Sequence, residues 1–408
     1  MKASSRLAFG TLFAIVFIDL AGFGIVIPLV PFYVERLGAG PELITLVIAL
    51  HALCQSAAMP LWGKISDRYG RRPVLFTSML GHVASYLLLA FADSLWLLAL
   101  ARIVSGITAA NLSTAYACAT DLTTPATRAD AMGKISAAFG LGMTIGPAIG
   151  GLLAGGSTMA EANLMRPALV AAAFSLAAAV AIWFFLPETR PPGDGDNAAQ
   201  RSGSLLADMR SLGARPVISM MLVLALVVIT FMAVRESIFP LWAYYVLDLN
   251  AGELGIVLGY MGALIFAIQF VGMGRLSNRF GDLRLIQVAV LMFATSWLGL
   301  ALSTTILECM MALTAQAVGT ALFQSSMQTL ISKRAGSSER GLILGVYQSS
   351  SALARFIGQA GAGTLFGQIG MNAPFLIGAA AMLPGMWLTL RIARRMGGSP
   401  PPRAGVDG

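Results

Sequence analysis

Charged side chains are scarce in this chain. Lys, Arg, Asp and Glu make up 11% of its 408 residues, as 27 basic and 19 acidic positions. A soluble domain carries about a quarter of its residues as charges. The composition therefore excludes an ordinary soluble protein, and no polar stretch is large enough to house a separate soluble activity. Cysteine is scarce as well: Cys54, Cys118 and Cys309 stand far apart in apolar or span-end positions. That spacing excludes a disulfide framework and a metal site built on cysteine. No constellation of nucleophile, base and metal ligands emerges, which leaves an enzyme the least favoured class and calls for no cofactor.

Apolar sequence is what the chain has in excess, at 57% hydrophobic residues. Runs of about 20 apolar residues, enough to cross a bilayer, fall near 7–31, 43–62, 73–92, 95–117, 132–156 and 164–186 in the first half. The second half has runs near 217–247, 252–273, 284–303, 306–330, 341–367 and 371–390. The first run is too long for a secretory signal, lacks a small-residue cleavage site and contains Asp19.

Basic residues test this count of six plus six independently. With the N-terminus inside, 22 of the 27 Lys and Arg fall in inner segments; the five exceptions are Arg36 and Arg166 outside and Arg102, Arg235 and Arg355 within spans. Positive residues are retained on the cytoplasmic side during insertion. Both termini are therefore expected inside, in a multi-pass protein of a bacterial inner membrane. The net charge of +8 is then mostly a topology signal. It suits an anionic inner leaflet and needs no nucleic-acid partner.

Residues 187–215 interrupt the apolar pattern with Pro187-Glu188-Thr189-Arg190-Pro191-Pro192 and several Gly and Asp. They read as a cytoplasmic linker, with a short amphipathic helix expected from Leu205 to Leu212. The chain divides accordingly into a six-helix bundle at 1–186, the linker, a second bundle at 216–395 and a disordered cytoplasmic tail at 396–408. A basic turn, Gly63-Lys64-Ile65-Ser66-Asp67-Arg68-Tyr69-Gly70-Arg71-Arg72, recurs after the linker as Gly274-Arg275-Leu276-Ser277-Asn278-Arg279-Phe280-Gly281. The second copy replaces the acid by Asn278 and lacks the Arg-Arg tail, so the halves are electrically unequal at this face.

A glycine pattern, Gly142-x-x-x-Gly146-Pro147-x-x-Gly150-Gly151, lies inside the fifth run. Such spacing lets helix backbones approach closely, and Pro147 is expected to bend its helix. With these two motifs the chain resembles the major facilitator superfamily, and within it the drug:proton antiporters with twelve spans, which include the tetracycline exporters. The resemblance runs from about Asp19 to the last span. It implies an all-α integral membrane fold, with twelve transmembrane helices in two pseudo-symmetric six-helix bundles and substrate bound between them. Asp19-x-x-Gly22-x-Gly24-x-x-x-Pro28-x-x-Pro31 looks like the first span of those antiporters. Arg102-x-x-x-Gly106 looks like their fourth-span motif, associated with proton coupling, and Gly142 to Gly151 looks like their fifth-span signature.

An ionisable group in the hydrocarbon core is costly and is by default a functional suspect. Asp19 lies roughly 18 Å from the inner surface at 1.5 Å per residue. Arg102 lies roughly 20 Å from it in a core of about 30 Å. The matching depths predict an Asp19–Arg102 pair, read either as a proton switch or as a static ion pair. Burial and a nearby guanidinium act oppositely on a carboxylate's hold on its proton, and movement of the halves would alternate which one dominates.

For Gly63 to Arg72, two readings compete. In one, Gly63, Asp67, Arg68, Gly70, Arg71 and Arg72 form a cytoplasmic gate in which Asp67 caps a helix and the arginines reach acids such as Asp121. In the other, the loop is a solvated topology signal. The fifth-span glycines read either as the antiporter signature or as ordinary small-residue packing. Expected cavity groups are Asn111, Gln324, Gln328, Arg355 and Glu236, the last assigned to Arg355 by elimination. The two glutamines and Asn111 read equally well as interhelical hydrogen-bonding groups. Arg235 and Glu236 are adjacent and each needs its own partner. Trp242, Tyr244 and Tyr245 are expected in an interfacial belt, and His51 is expected packed and neutral.

Two positions depart from the tetracycline exporters, which carry an aspartate where this chain has Ser85 and a histidine where it has Ile265 ahead of Gln269. The expected function is therefore a proton-driven exporter of amphipathic small molecules, working by alternating access as a single chain, with protons and a small-molecule substrate as its partners. A proton symporter for an organic solute and a non-transporting sensor or assembly partner are the competing readings.

Overall fold

The computed structural model describes residues 3–109, 111–123, 128–155, 163–189, 216–334 and 340–397. Among them every regular element is helical. The first half comprises α1 (Ala3–Val26), α2 (Val30–Arg36), α3 (Pro41–Tyr69), α4 (Arg71–Ala90), α5 (Leu95–Thr108), α6 (Asn111–Asp121), α7 (Arg128–Ala154) and α8 (Met165–Phe185). The second comprises α9 (Pro216–Leu247), α10 (Ala251–Ala267), α11 (Met273–Phe280), α12 (Asp282–Leu302), α13 (Ile306–Arg334), α14 (Arg340–Thr364) and α15 (Ala373–Gly397). Most of the linker, including Leu205 to Leu212, lies outside the described residues, as does the tail beyond residue 397.

These helices make twelve crossings in two pseudo-symmetric six-helix bundles. Among the described residues, ten helical stretches are long and apolar enough to cross a bilayer. The fourth crossing falls short because it is interrupted between α5 and α6. The eleventh is more polar, with Gln348, three consecutive serines, Arg355 and Gln359. The first crossing bends through a 3₁₀ turn at Ile27–Leu29, where Pro28 and Pro31 remove successive amide donors. The interruption of the fourth frees carbonyls that side chains then satisfy. Ile107 O accepts from Trp62 Nε1 at 2.5 Å, and Thr108 O accepts from Ser78 Oγ. Backbone at this depth is tolerated where protein groups cover it.

The two halves touch on the side away from the basic turns. Gly363 N donates to Thr45 Oγ1 at 3.0 Å, joining α14 to the start of α3. Tyr245 of α9 donates to Glu35 of α2. α7 runs between α1 and α10, and its glycines serve both neighbours. A Cβ at Gly146 would sit 2.6 Å from Ala21 O of α1, and one at Gly151 would sit 2.6 Å from Ala251 O of α10. Gly142 and Gly150 face α1 as Gly146 does. Pro147 lies inside the continuous α7 helix, and its carbonyl faces Gly255.

The apolar core follows the same division. One buried cluster joins the outer part of the first half to the second half; a separate one (Phe9, Leu12, Ile15, Leu75, Met79, Cys118, Ile182) fills only the basic-side end of the first half. Trp242, expected at an interface, is fully buried in the larger cluster. It stacks on Phe239 and donates Nε1–H to Asn372 at 2.8 Å. Among the described residues, these contacts and the larger cluster join the halves on the outer side, and the smaller cluster on the basic side stays within the first half.

Candidate functional site

Asp19 of α1 does not pair with Arg102. Its Oδ1 lies 2.9 Å from Nδ1 of His82 on α4, and the same Nδ1 lies 3.1 Å from Asn111 Nδ2 at the start of α6. Matching depths were a necessary condition for an Asp19–Arg102 pair, but depth leaves the direction around each helix axis open. His82 stands 11 residues into α4, roughly 16 Å from the basic side at 1.5 Å per residue. The depth estimate that selected Asp19 would thus have selected His82 too. Asn111, expected in the substrate cavity, is 2% exposed and belongs to this cluster.

Arg102 is 4% exposed. Its guanidinium lies 6.0 Å from the ring centroid of Phe23, and Nε has no hydrogen-bond partner among the described residues. His51 packs beside it on Phe23, with Nδ1 2.8 Å from Ser105 Oγ. Ser85, where the tetracycline exporters carry an acid, is buried and donates to Ala101 O at 2.8 Å. Ile265 is half-buried. Four crossings thus bring one carboxylate, two imidazoles and one guanidinium together in the first bundle.

The basic turn forms a second cluster. α3 ends at Gly70, whose φ of 101° and ψ of 164° suit glycine alone, and α4 begins at the next residue. Arg71 is held by three groups: Asp67 at 3.0 Å, Asp121 at 3.2 Å and Ser66 Oγ at 2.9 Å. Asp67 lies in the last turn of α3 and does not cap α4. Glu188 takes that place, accepting from the Arg71 and Arg72 amides at 2.8 and 3.1 Å. Arg72 reaches no acid among the described residues; it donates to Trp183 O and lies 5.2 Å over the Trp183 ring. Arg68 is exposed beside Tyr69, and Gly63 faces open space. Glu188 was missed because it reads as linker. Its signal was an acid at the end of a span facing the basic turn.

In the second half, Arg355 Nη1 lies 3.1 Å from Glu236 Oε2, and both side chains are about one-third exposed. Arg235, next to Glu236, is buried over Phe239 with Nε unpartnered. Gln324 is half-buried and Gln328 exposed, one turn apart on α13, and neither makes a hydrogen bond among the described residues.

A sequence profile of the Major Facilitator Superfamily matches residues 12–272 and 224–406, which together take in nearly the whole chain. A class E tetracycline resistance protein of Escherichia coli is 31% identical over 353 residues, covering 84% of each chain. Multidrug resistance protein 2 of Bacillus subtilis is 25% identical, covering 92% of each. Among solved structures, a bacterial homologue of the human lysosomal transporter Spinster, inward-facing and unoccupied, superposes with a TM-score of 0.76. It is 16% identical and covers 97% of this chain and 96% of its own. With twelve crossings, two bundles and these relatives, the chain belongs to the Major Facilitator Superfamily and is a multi-pass membrane transporter, not an enzyme.

Proposed function

We propose that this protein is a proton-coupled antiporter that exports amphipathic small molecules across the bacterial inner membrane by alternating access. The observation that carries the reading is the buried Asp19–His82 contact of 2.9 Å beside a buried Arg102 whose Nε has no hydrogen-bond partner among the described residues. A carboxylate and an imidazole held at mid-membrane are expensive unless used, and they can carry protons without a cofactor. The tetracycline and multidrug resistance relatives support drugs as the cargo. The basic turns support a cytoplasmic placement of that side and of both termini. On that placement the halves are joined on the outer side, the protein opens inward, and the Arg71 cluster belongs to the gate that closes it.

The test is transport by purified protein in liposomes under an imposed pH gradient, against a panel of neutral, acidic and cationic drugs. Accumulation that collapses when the gradient is dissipated supports antiport. Equal accumulation with and without the gradient would remove the proton from the mechanism.

A further inference from the structure

His82 Nδ1 holds two contacts that require opposite states of one nitrogen. Ionised Asp19 only accepts hydrogen bonds, so its 2.9 Å contact requires a proton on Nδ1. The Asn111 amide nitrogen only donates, so its 3.1 Å contact requires a bare Nδ1. The two distances differ by less than the spread of ordinary hydrogen bonds, so the ring can change partner without moving. Asn111 Oδ1 is buried with no partner among the described residues, so turning the amide would offer Nδ1–H a second acceptor beside Asp19.

We propose that His82 is the relay through which Asp19 is loaded and unloaded, and that Asn111 holds the ring between the two events. This rests on the proton-coupled reading above. In the unloaded state Nδ1–H donates to the Asp19 carboxylate and Nε2 is bare. A proton from water binds Nε2, and the Nδ1 proton crosses to Asp19 Oδ1. Asp19 becomes a neutral acid, His82 is neutral with its proton on Nε2, and the bare Nδ1 accepts from Asn111. One proton has entered and one has moved, with no other bond changed; unloading reverses the order.

The surroundings suit a relay that avoids a lasting imidazolium. Elements packed against α4 also carry Arg102 (α5), His51 (α3) and Tyr116, Cys118 and Asp121 (α6), and Tyr86 stands one turn along α4, its ring 6.1 Å from that of His82. α8, which also packs on α4, brings only Arg166 among its titratable side chains, and that lies at its outer end. A proton passed through to Asp19 leaves the ring neutral.

The chain has only two histidines, His51 and His82, so ¹⁵N-histidine NMR of the whole protein in lipid nanodiscs can read the tautomer directly. His82→Gln identifies which ring signals belong to His82. At alkaline pH the neutral wild-type ring should carry its proton on Nδ1. In Asp19→Ala the proton should move to Nε2, because Asn111 is then the partner left to Nδ1. Transport is read in liposomes loaded with chloramphenicol as probe, with His82→Gln beside wild type. The variant's gradient-driven accumulation should fall about tenfold or more, with a changed pH profile. His82→Asn, read the same way, guards against a folding defect particular to Gln. The same tautomer with and without Asp19, or wild-type accumulation and pH profile in both His82 variants, would overturn the relay. A wild-type protein that exchanges no probe counts against the export reading instead, and the tautomer result then decides His82 by itself.

Discussion

Arg71 and Asp282 occupy the same place in the two copies of the basic turn and carry opposite charges. Each follows a glycine of positive φ, Gly70 at 101° and Gly281 at 80°. Each bonds the serine five residues earlier, Arg71 to Ser66 at 2.9 Å and Asp282 to Ser277 at 2.6 Å. Each also pairs with an opposite charge near the end of the fourth crossing of its half, Arg71 with Asp121 at 3.2 Å and Asp282 with Lys333 at 2.7 Å. The fold repeats, and the ion pair repeats with its polarity reversed.

Removing these groups should therefore have unequal effects. Arg71→Ala removes the cation shared by Asp67 and Asp121 and should destabilise the protein by about 1–3 kcal/mol. Asp282→Ala takes the partner from the Ser277 hydroxyl and from Lys333, whose side chain is 61% exposed and can return to water, and should be the milder change. Thermal unfolding in detergent checks this; an Arg71→Ala protein as stable as wild type would show the cluster to be solvated decoration.

The turn itself offers a backbone test. A Cβ on Gly70 would overlap the Glu188 carboxylate, and its backbone lies where other residues are strained. Gly70→Ala should cost about 1–3 kcal/mol, and Glu188→Ala should cost about 1 kcal/mol by uncapping α4. The double variant should lose less than the sum, because the overlap vanishes with Glu188. Strict additivity of the unfolding shifts would separate the two residues.

Glycines on opposite sides of the membrane should bias the conformation oppositely. Gly255 meets Gly151 with a Cβ-to-Cα distance of 2.9 Å, so Gly255→Leu should pry the outer side open. Gly63 and Gly274 have no neighbour within 4 Å of a built Cβ and ordinary helical backbone. Glycine is not needed there in this state, so Gly63→Leu should hinder closure of the basic side and leave this state favoured. Cysteine-accessibility labelling from each face reads both; the same direction of change in the two variants would defeat the assignment.

How far the sequence was legible follows from what each signal measures. Apolar length and the placement of basic residues report position along the membrane normal, and the crossings fall within a few residues of where those signals put them. Pairing depends on rotation about each helix axis, which no apolar run of this kind encodes: α1, α7 and α8 are apolar nearly all round. Hence Arg102 was matched to Asp19 by depth, while His82, at the same depth, was passed over. Arg355 and Glu236 met because few charges in the second half needed partners. Trp242 looked interfacial from its tyrosine neighbours, yet its helical face turns it into the core.

Asp19→Asn should abolish gradient-driven transport while leaving expression and exchange at equal pH largely intact. The substitution keeps the shape and a hydrogen bond to His82 Nδ1, now 2.9 Å from Asp19 Oδ1, but cannot take up a proton. Everted membrane vesicles energised by respiration give the measurement. Full gradient-driven transport by the variant would take Asp19 out of the proton path.

Substrate class is the remaining consequence of the charge pattern. Arg355 and Glu236 lie 3.1 Å apart and largely neutralise each other, with both side chains about one-third exposed. Asp19 is engaged by His82, and Gln324 and Gln328 are neutral. Arg102 has no ion-pair partner among the described residues, with Nε unpartnered and the side chain buried. A buried charge without a partner is costly unless something anionic or strongly hydrogen-bonding meets it. The expected substrates are therefore neutral, zwitterionic or weakly acidic and largely apolar, as phenicols and quinolones are, rather than dications such as polyamines or bisquaternary dyes. Releasing Glu236 should relax this preference, so Arg355→Gln is expected to raise transport of cations relative to neutral drugs. Uptake of both ligand types into everted vesicles by wild type and Arg355→Gln measures it. Strong dication transport by the wild type, with no response to neutral or acidic drugs, would sink the assignment.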